Sequence, residues 1–281
     1  MGRVVFRKDF DPPVFRKIAF GTWKNAADPT VYGIMEIDMT KASAFAERYS
    51  KEQGIKITPT HLVALATAHC MVKRPEINGM IRLGKIHLRQ HVALSFLVNI
   101  PGQGKDRVGK ADVSSVTIHK VEELKLMDIA KRLTRDAGLV KERKDPAMKK
   151  SFQTVNRLPW SWVHNFLNLT TWLLYDLNLD LTKFGLPSDP FGSAIITNVG
   201  GGMGAGIDMA WAPLCPYTRT PLLLTLSSVR EKAVVIDGQV VARPILSIGV
   251  TFDHRFMDGA HAAQMSSEFK KCFDEPEKYF V

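Results

Sequence analysis

Cysteine is scarce. The 281 residues hold three, Cys70, Cys215 and Cys272. An odd count without paired spacing argues against a disulfide framework and against a zinc site. None has a histidine at a spacing that suggests a thiol nucleophile, and Cys70 falls on an apolar helix face as a core residue would. The opening residues, Met1-Gly2-Arg3-Val4-Val5-Phe6-Arg7-Lys8, lack the apolar run of a secretory leader, so a cytoplasmic protein is expected. Internal repeats and low-complexity tracts are missing. So are the glycine spacings of a Walker loop and of a dinucleotide fingerprint. Acidic residues are fewer than basic ones, 28 against 38, which leaves a formal charge of +10. Such an excess suits an anionic partner or serves solubility, and no recognisable nucleic-acid module stands behind it.

What is present is an ordinary globular share of hydrophobic residues, 45%, in a chain long enough to bury one large α/β core. The chain is organised around Phe252-Asp253-His254-Arg255-Phe256-Met257-Asp258-Gly259-Ala260-His261. The apolar run Ile245 to Phe252 leads into this stretch, and a helical pattern from Gly259 to Phe273 follows it. His254 therefore falls where a buried strand ends, a place where α/β proteins mount reactive groups. A histidine there either caps the strand and bonds locally or acts as a general base, since imidazole titrates near neutrality. The flanking charges Asp253 and Arg255, the second carboxylate Asp258 and the rigid strand favour the base. Gly259 is read as giving the backbone freedom to turn into the helix.

Asp253-His254-Arg255-Phe256-Met257-Asp258-Gly259-Ala260 resembles the D-H-R-x-x-D-G-A signature of the catalytic domain of dihydrolipoyl acyltransferases, the cores of 2-oxoacid dehydrogenase complexes. Chloramphenicol acetyltransferase shares their fold and a related H-x-x-x-D-G motif. Further stretches are similar to the same family. Phe15-Arg16-Lys17-Ile18-Ala19 is similar to its opening R-K-x-I-A, and Ala66 to Asn78 to its A-x-A-L-x-x-x-P-x-L-N helix exit. Gly192 to Gly200 is similar to its G-T-F-T-I-S-N-L-G strand and turn. The resemblance implies an α/β fold like that of chloramphenicol acetyltransferase, a mixed sheet flanked by helices. It implies acyl transfer between coenzyme A, as substrate, and a thiol of the dihydrolipoyl type, with no metal. Since no lipoyl domain is read in the sequence, a lipoyl group on another chain or a small thiol is expected as the acceptor. His254 takes the place of the base. Thr197 takes that of the hydroxyl that steadies the oxyanion, a serine in many members. Asp258 takes that of a carboxylate bracing the loop, with Arg16 as its partner and Gly259 beside it. The family also implies a homotrimer or a multiple of trimers with active sites between subunits. Its partners are lipoyl-bearing or dehydrogenase subunits, with neither nucleic acid nor a membrane among them.

The remaining elements follow from pattern. Val31 to Met39 alternates as a strand, and Thr40 is read as the N-cap of a helix running to Gly54. Thr58-Pro59-Thr60 opens a well-buried helix that ends at Pro75, with His61 and His69 as ordinary helix histidines. Ile81 to Leu88 and Val92 to Ile100 read as a strand pair around Arg89-Gln90-His91. The loop after it carries Lys105, Arg107 and Lys110, which suit phosphate or sit solvated at a hairpin tip. Glu122 to Leu139 is an amphipathic helix, and Asp237-Gly238 turns a hairpin that leads back to the His254 strand.

One domain is expected over residues 1–281, with a basic arm, 1–14, and an aromatic-rich insertion, 145–190, where the family has a short linker. Nothing in the sequence reads as a lipoyl or peripheral-subunit-binding domain. Trp160, Trp162, Phe166, Trp172 and Tyr175 crowd the insertion, and helical spacing puts Trp162, Phe166, Leu169 and Leu173 on one face. An extra buried helix, a subunit or partner interface and an interfacial membrane helix are three readings of that face. The insertion can also shape an acyl pocket. The missing carrier modules leave a second functional reading, an assembly protein that keeps the fold and oligomer without useful activity.

Overall fold

The computed structural model describes residues 28–102, 111–182, 186–187, 189–201 and 207–281. Its strands are β1 (Thr30–Asp38), β2 (Gly79–Arg82), β3 (Lys85–Leu88), β4 (Leu94–Ile100), β5 (Asp112–Ile118), β6 (Ala194–Asn198), β7 (Leu222–Ile236) and β8 (Gln239–Asp253). Its helices are α1 (Thr40–Gln53), α2 (Pro59–Lys73), α3 (Leu126–Lys141), α4 (Pro146–Asn156), α5 (Trp160–Thr171), α6 (Gly259–Asp274) and α7 (Pro276–Tyr279). Six strands form one mixed sheet in the order β1-β8-β7-β6-β4-β5, while β2 and β3 make a separate hairpin. β6 runs parallel to both of its neighbours, and the other pairings are antiparallel.

Strand alternation decides which side of the sheet is core. Leu94, Phe96, Ile196, Leu224, Leu246, Ile248 and Phe252 pack into the cluster shared with α1, α2, α3 and α6. The intervening residues, Ser95, Thr197, Thr225, Ser247, Gly249 and Thr251, face the other way. Residues 210–211 cross that second face closely. Trp211 Nε1 donates to the Gly33 carbonyl at 2.7 Å, and a Cβ on Gly249 would stand 2.0 Å from the Ala210 carbonyl oxygen. Glycine is needed at 249 for this approach. Asp237 (φ 51) and Gly238 (φ 78) close the β7–β8 hairpin in the left-handed region that the Asp-Gly pair predicts.

Three local expectations are corrected. Residues 81–88 do not pair with 92–100. Leu83 (φ 48) and Gly84 (φ 74) fold β2 back onto β3, and β4 pairs with β5 and β6 instead. Leucine is rare at positive φ, so Leu83-Gly84 gives a poor turn signal. Thr40 is the first residue of α1 and not its cap, because Asp38 accepts both its N–H (2.8 Å) and its hydroxyl (2.5 Å). α3 begins at Leu126, after a short 3-10 turn over Val121–Glu123.

His61 has more than an ordinary helix role. It is buried in the first turn of α2, where its Nδ1 accepts the Thr58 backbone N–H at 3.2 Å. That acceptor must be unprotonated, and burial pushes the imidazole down to about 4. The unfolded chain therefore binds this proton more readily than the folded one. The contribution is fully present above about pH 6.5 and is lost as pH falls toward 4, up to ~3 kcal/mol. Urea unfolding at pH 7.5 and 4.5 should show a larger loss in the wild type than in His61→Gln. Equal losses in the two proteins would contradict this account.

Within the insertion α4 places Met148 in the core, and the segment after α5 is anchored by its own buried residues. Leu174, Tyr175 and Asp176, in the π-turn after α5, are buried, and burying a leucine side chain contributes about 1.5–3 kcal/mol. Asp176 Oδ1 accepts from Arg219 Nη1 at 2.8 Å and from the Leu83 N–H at 3.0 Å, and its second oxygen accepts from Arg219 Nη2. The Asp176 carbonyl accepts from Arg82, and Arg219 lies over the Tyr175 ring at 5.7 Å. Arg89 holds Asp189 at the far end of the segment at 2.8 Å. α5 itself is not an extra core helix. Trp162 is 65% exposed and Leu169 55%, while Phe166 and Leu173 are half-buried, so the predicted stripe lies largely at the surface of the chain.

Candidate functional site

β8 delivers the central motif to the edge of the fold. Asp253, its last residue, is buried and donates its N–H to the Pro221 carbonyl at 3.0 Å. Its carboxylate accepts from the Arg255 backbone N–H (2.9 Å), Nε (2.9 Å) and Nη2 (2.6 Å). The next residue, His254, donates its backbone N–H to the Pro29 carbonyl at 2.8 Å. Phe256 is buried against Gly79, where an added Cβ would lie 2.6 Å from a ring carbon. The turn is thus tied to β1, to β7 and to the β2–β3 hairpin. His254 and Arg255 remain exposed on it. Among the described residues the His254 imidazole has no hydrogen-bond partner. The Asp253–Arg255 fork is the part of the turn whose role the sequence did not disclose, although both residues flank His254 in the motif.

Asp258 is the N-cap of α6. Its Oδ1 accepts the His261 N–H at 3.0 Å and lies 2.7 Å from His261 Nδ1. These bonds, the backbone N–H first, hold its carboxyl below the usual range. Its expected partner Arg16 lies outside the described residues, as do Lys105, Arg107 and Lys110. Gly259 is corrected: it is the first residue of α6, shows no positive φ, and would meet nothing within 4 Å as alanine. The Asp258 cap, and not glycine freedom, starts the helix.

Thr197 sits half-exposed on β6, on the side of the sheet away from the helices. Its neighbour across the parallel ladder is Thr225, whose buried hydroxyl has no partner among the described residues. The structure does not bring Thr197 to His254. Thr197 is level with Thr225 and, through it, with Gly249, five residues before His254 and two strands away. Strand rise and spacing put the two roughly 15–20 Å apart within one chain.

Beside the turn opens a cleft of ≈ 760 Å³. Asp253, Arg255 and Phe256 bound it on one side, Trp172 and Asp176 of the insertion on another. Among the described residues one group of metal-ligand type converges, His91, Glu122 and Glu123. Its carboxylates are already engaged: Glu122 accepts from the Val92 N–H (3.0 Å) and lies 2.9 Å from His91 Nδ1, and Lys120 stands 3.2 Å from Glu123. No helix among the described residues is long and apolar enough to cross a membrane.

The chain matches the family model described as 2-oxoacid dehydrogenases acyltransferase (catalytic domain) over residues 15–154 and 192–281. The interval between them, 155–191, is the heart of the insertion. The dihydrolipoyllysine-residue acetyltransferase component of the pyruvate dehydrogenase complex of Bacillus subtilis is 33% identical over 85 residues. That stretch is 30% of this chain and 18% of the relative, so only a small part of the relative's length is spanned. The solved cubic core of the pyruvate dehydrogenase multienzyme complex aligns with a TM-score of 0.62 at 17% identity, covering 100% of this chain and 99% of that one. Azotobacter vinelandii dihydrolipoamide acetyltransferase aligns with a TM-score of 0.61 at 16% identity, covering 100% of each chain. In that protein a serine, a histidine and an asparagine four positions after the histidine have been investigated for roles in the catalytic mechanism. At these identities the structural likeness is one of fold.

Proposed function

Because the chain belongs to the 2-oxoacid dehydrogenase acyltransferase (catalytic domain) family, we propose that it moves an acyl group between coenzyme A and a thiol acceptor of the dihydrolipoyl type. The observation that carries this reading is His254, an exposed imidazole without a hydrogen-bond partner among the described residues, on a turn fixed from three sides. A free ring nitrogen on a rigid mount suits a general base. In the proposed step His254 takes the acceptor's thiol proton. The sulfur attacks the thioester carbonyl, and the tetrahedral oxyanion accepts a hydrogen bond from Thr197. Collapse breaks the bond to the coenzyme A sulfur, which leaves with the proton from His254. The reaction runs in either direction by the same path.

Since one chain holds His254 and Thr197 far apart, the complete site needs two copies, His254 from one and Thr197 from its neighbour. A homotrimer, or a multiple of trimers, closes such a head-to-tail contact and repeats the site at each interface. The lipoyl group is proposed to arrive on a separate carrier domain. Lys105, Arg107 and Lys110 are the cations proposed for the phosphates of coenzyme A. The exposed imidazole of His254 and the hydroxyl at 197 support catalysis over a purely architectural role. Incubation with acetyl-CoA or succinyl-CoA and dihydrolipoamide tests the reading by the appearance of S-acyl dihydrolipoamide. No product from either donor would end it.

A further inference from the structure

The cleft beside the His254 turn takes one wall from the matched family fold and another from the segment that the family model leaves unmatched. Asp253, Arg255 and Phe256 belong to the first, Trp172 and Asp176 to the second. We infer that the inserted segment is a specificity wall, and that Trp172 covers the neutral, apolar arm of the thiol acceptor as it approaches His254. This rests on the acyl-transfer reading.

Charge decides which substrate the cleft fits. Its two guanidiniums are each paired with a carboxylate of the protein, Arg255 with Asp253 and Arg219 with Asp176. The remaining carboxylate, Asp28, accepts from the Thr30 N–H and hydroxyl. Among the described lining residues no cation is left over, and the acidic groups outnumber the basic ones by one. Phosphates bind where cations or free N–H donors converge, so the polyanionic coenzyme is disfavoured here. Ile81, Leu83, Leu214, Pro216 and Phe256 supply apolar surface instead, with the Trp172 ring half-exposed above it. The volume, ≈ 760 Å³, is far more than an acetyl group needs and suits a chain of several methylenes ending in thiols. Trp172 is held by its neighbours. It begins the π-turn whose Leu174 and Tyr175 are buried and whose Asp176 is bonded to Arg219 and Leu83. Asp176 is thus a positioning residue for the wall.

The test is steady-state kinetics of Trp172→Ala, with Trp160→Ala as a control on the exposed start of the same insertion. Trp172→Ala should raise KM for dihydrolipoamide roughly tenfold, the scale of one lost aromatic cover. Its kcat and its KM for acetyl-CoA should stay near wild type, and Trp160→Ala should change nothing. Unchanged KM for dihydrolipoamide, or a KM for acetyl-CoA that rises equally, would overturn the wall. An inactive wild type would defeat the acyl-transfer reading alone, and calorimetric binding of dihydrolipoamide then decides the wall. Weaker binding to Trp172→Ala supports it; equal binding, or none to either protein, overturns it.

Discussion

His254→Ala is expected to reduce acyl transfer between acetyl-CoA and dihydrolipoamide to near background, a loss of about 10²–10⁴-fold, while assembly survives. The side chain is exposed and bonds to nothing among the described residues, so its removal opens no cavity and strands no partner. What holds the turn is its backbone: Asp253 to Pro221, His254 to Pro29, and the Arg255 fork on Asp253. None of these needs an imidazole. Turnover and light scattering on the same preparation separate chemistry from architecture. A variant that keeps most of the wild-type rate removes His254 from the mechanism.

Thr197→Val removes a hydroxyl and leaves the shape nearly unchanged. A fall in kcat of about 10²–10³-fold is expected, the usual cost of one oxyanion donor. The fold should tolerate the change, because Thr197 is half-exposed in a strand and valine favours strands. KM for both substrates should change little, since the hydroxyl is proposed to act on the transition state. An unchanged kcat would assign the oxyanion to another donor and leave Thr197 as a sheet residue beside Thr225.

The sequence showed the mount more clearly than the surroundings. The apolar run before His254 and the helix after Asp258 were readable because both follow strong periodicities, and the structure places β8 and α6 there. The Asp-Gly hairpin was readable because its left-handed geometry asks for those residues. β5 is not legible because its first half inverts the alternation: Asp112 and Ser114 fall on the face of the buried Val116 and Ile118, and the exposed Val113 on the outward face. The β2–β3 hairpin hid behind Leu83, a residue that turns seldom use at positive φ. The aromatic stripe of the insertion was legible as a helix face, but its exposure was not. Periodicity says which residues share a face, whereas Asp176, Arg219 and Leu83, distant in sequence, decide where the segment is pinned. The separation of Thr197 from His254 was equally hidden, because it depends on strand register.

That separation is the central claim: a working site joins two copies of the chain. Co-assembly of equal amounts of His254→Ala and Thr197→Val tests it directly. Each variant alone is expected to be near-inactive, yet the first still carries Thr197 and the second still carries His254. Random mixing into closed trimers should restore about a quarter of wild-type turnover, since three in four trimers are mixed and each mixed trimer holds one intact site of three. If mixed assemblies form and stay as inactive as their parents, the site lies within one chain and the account is contradicted.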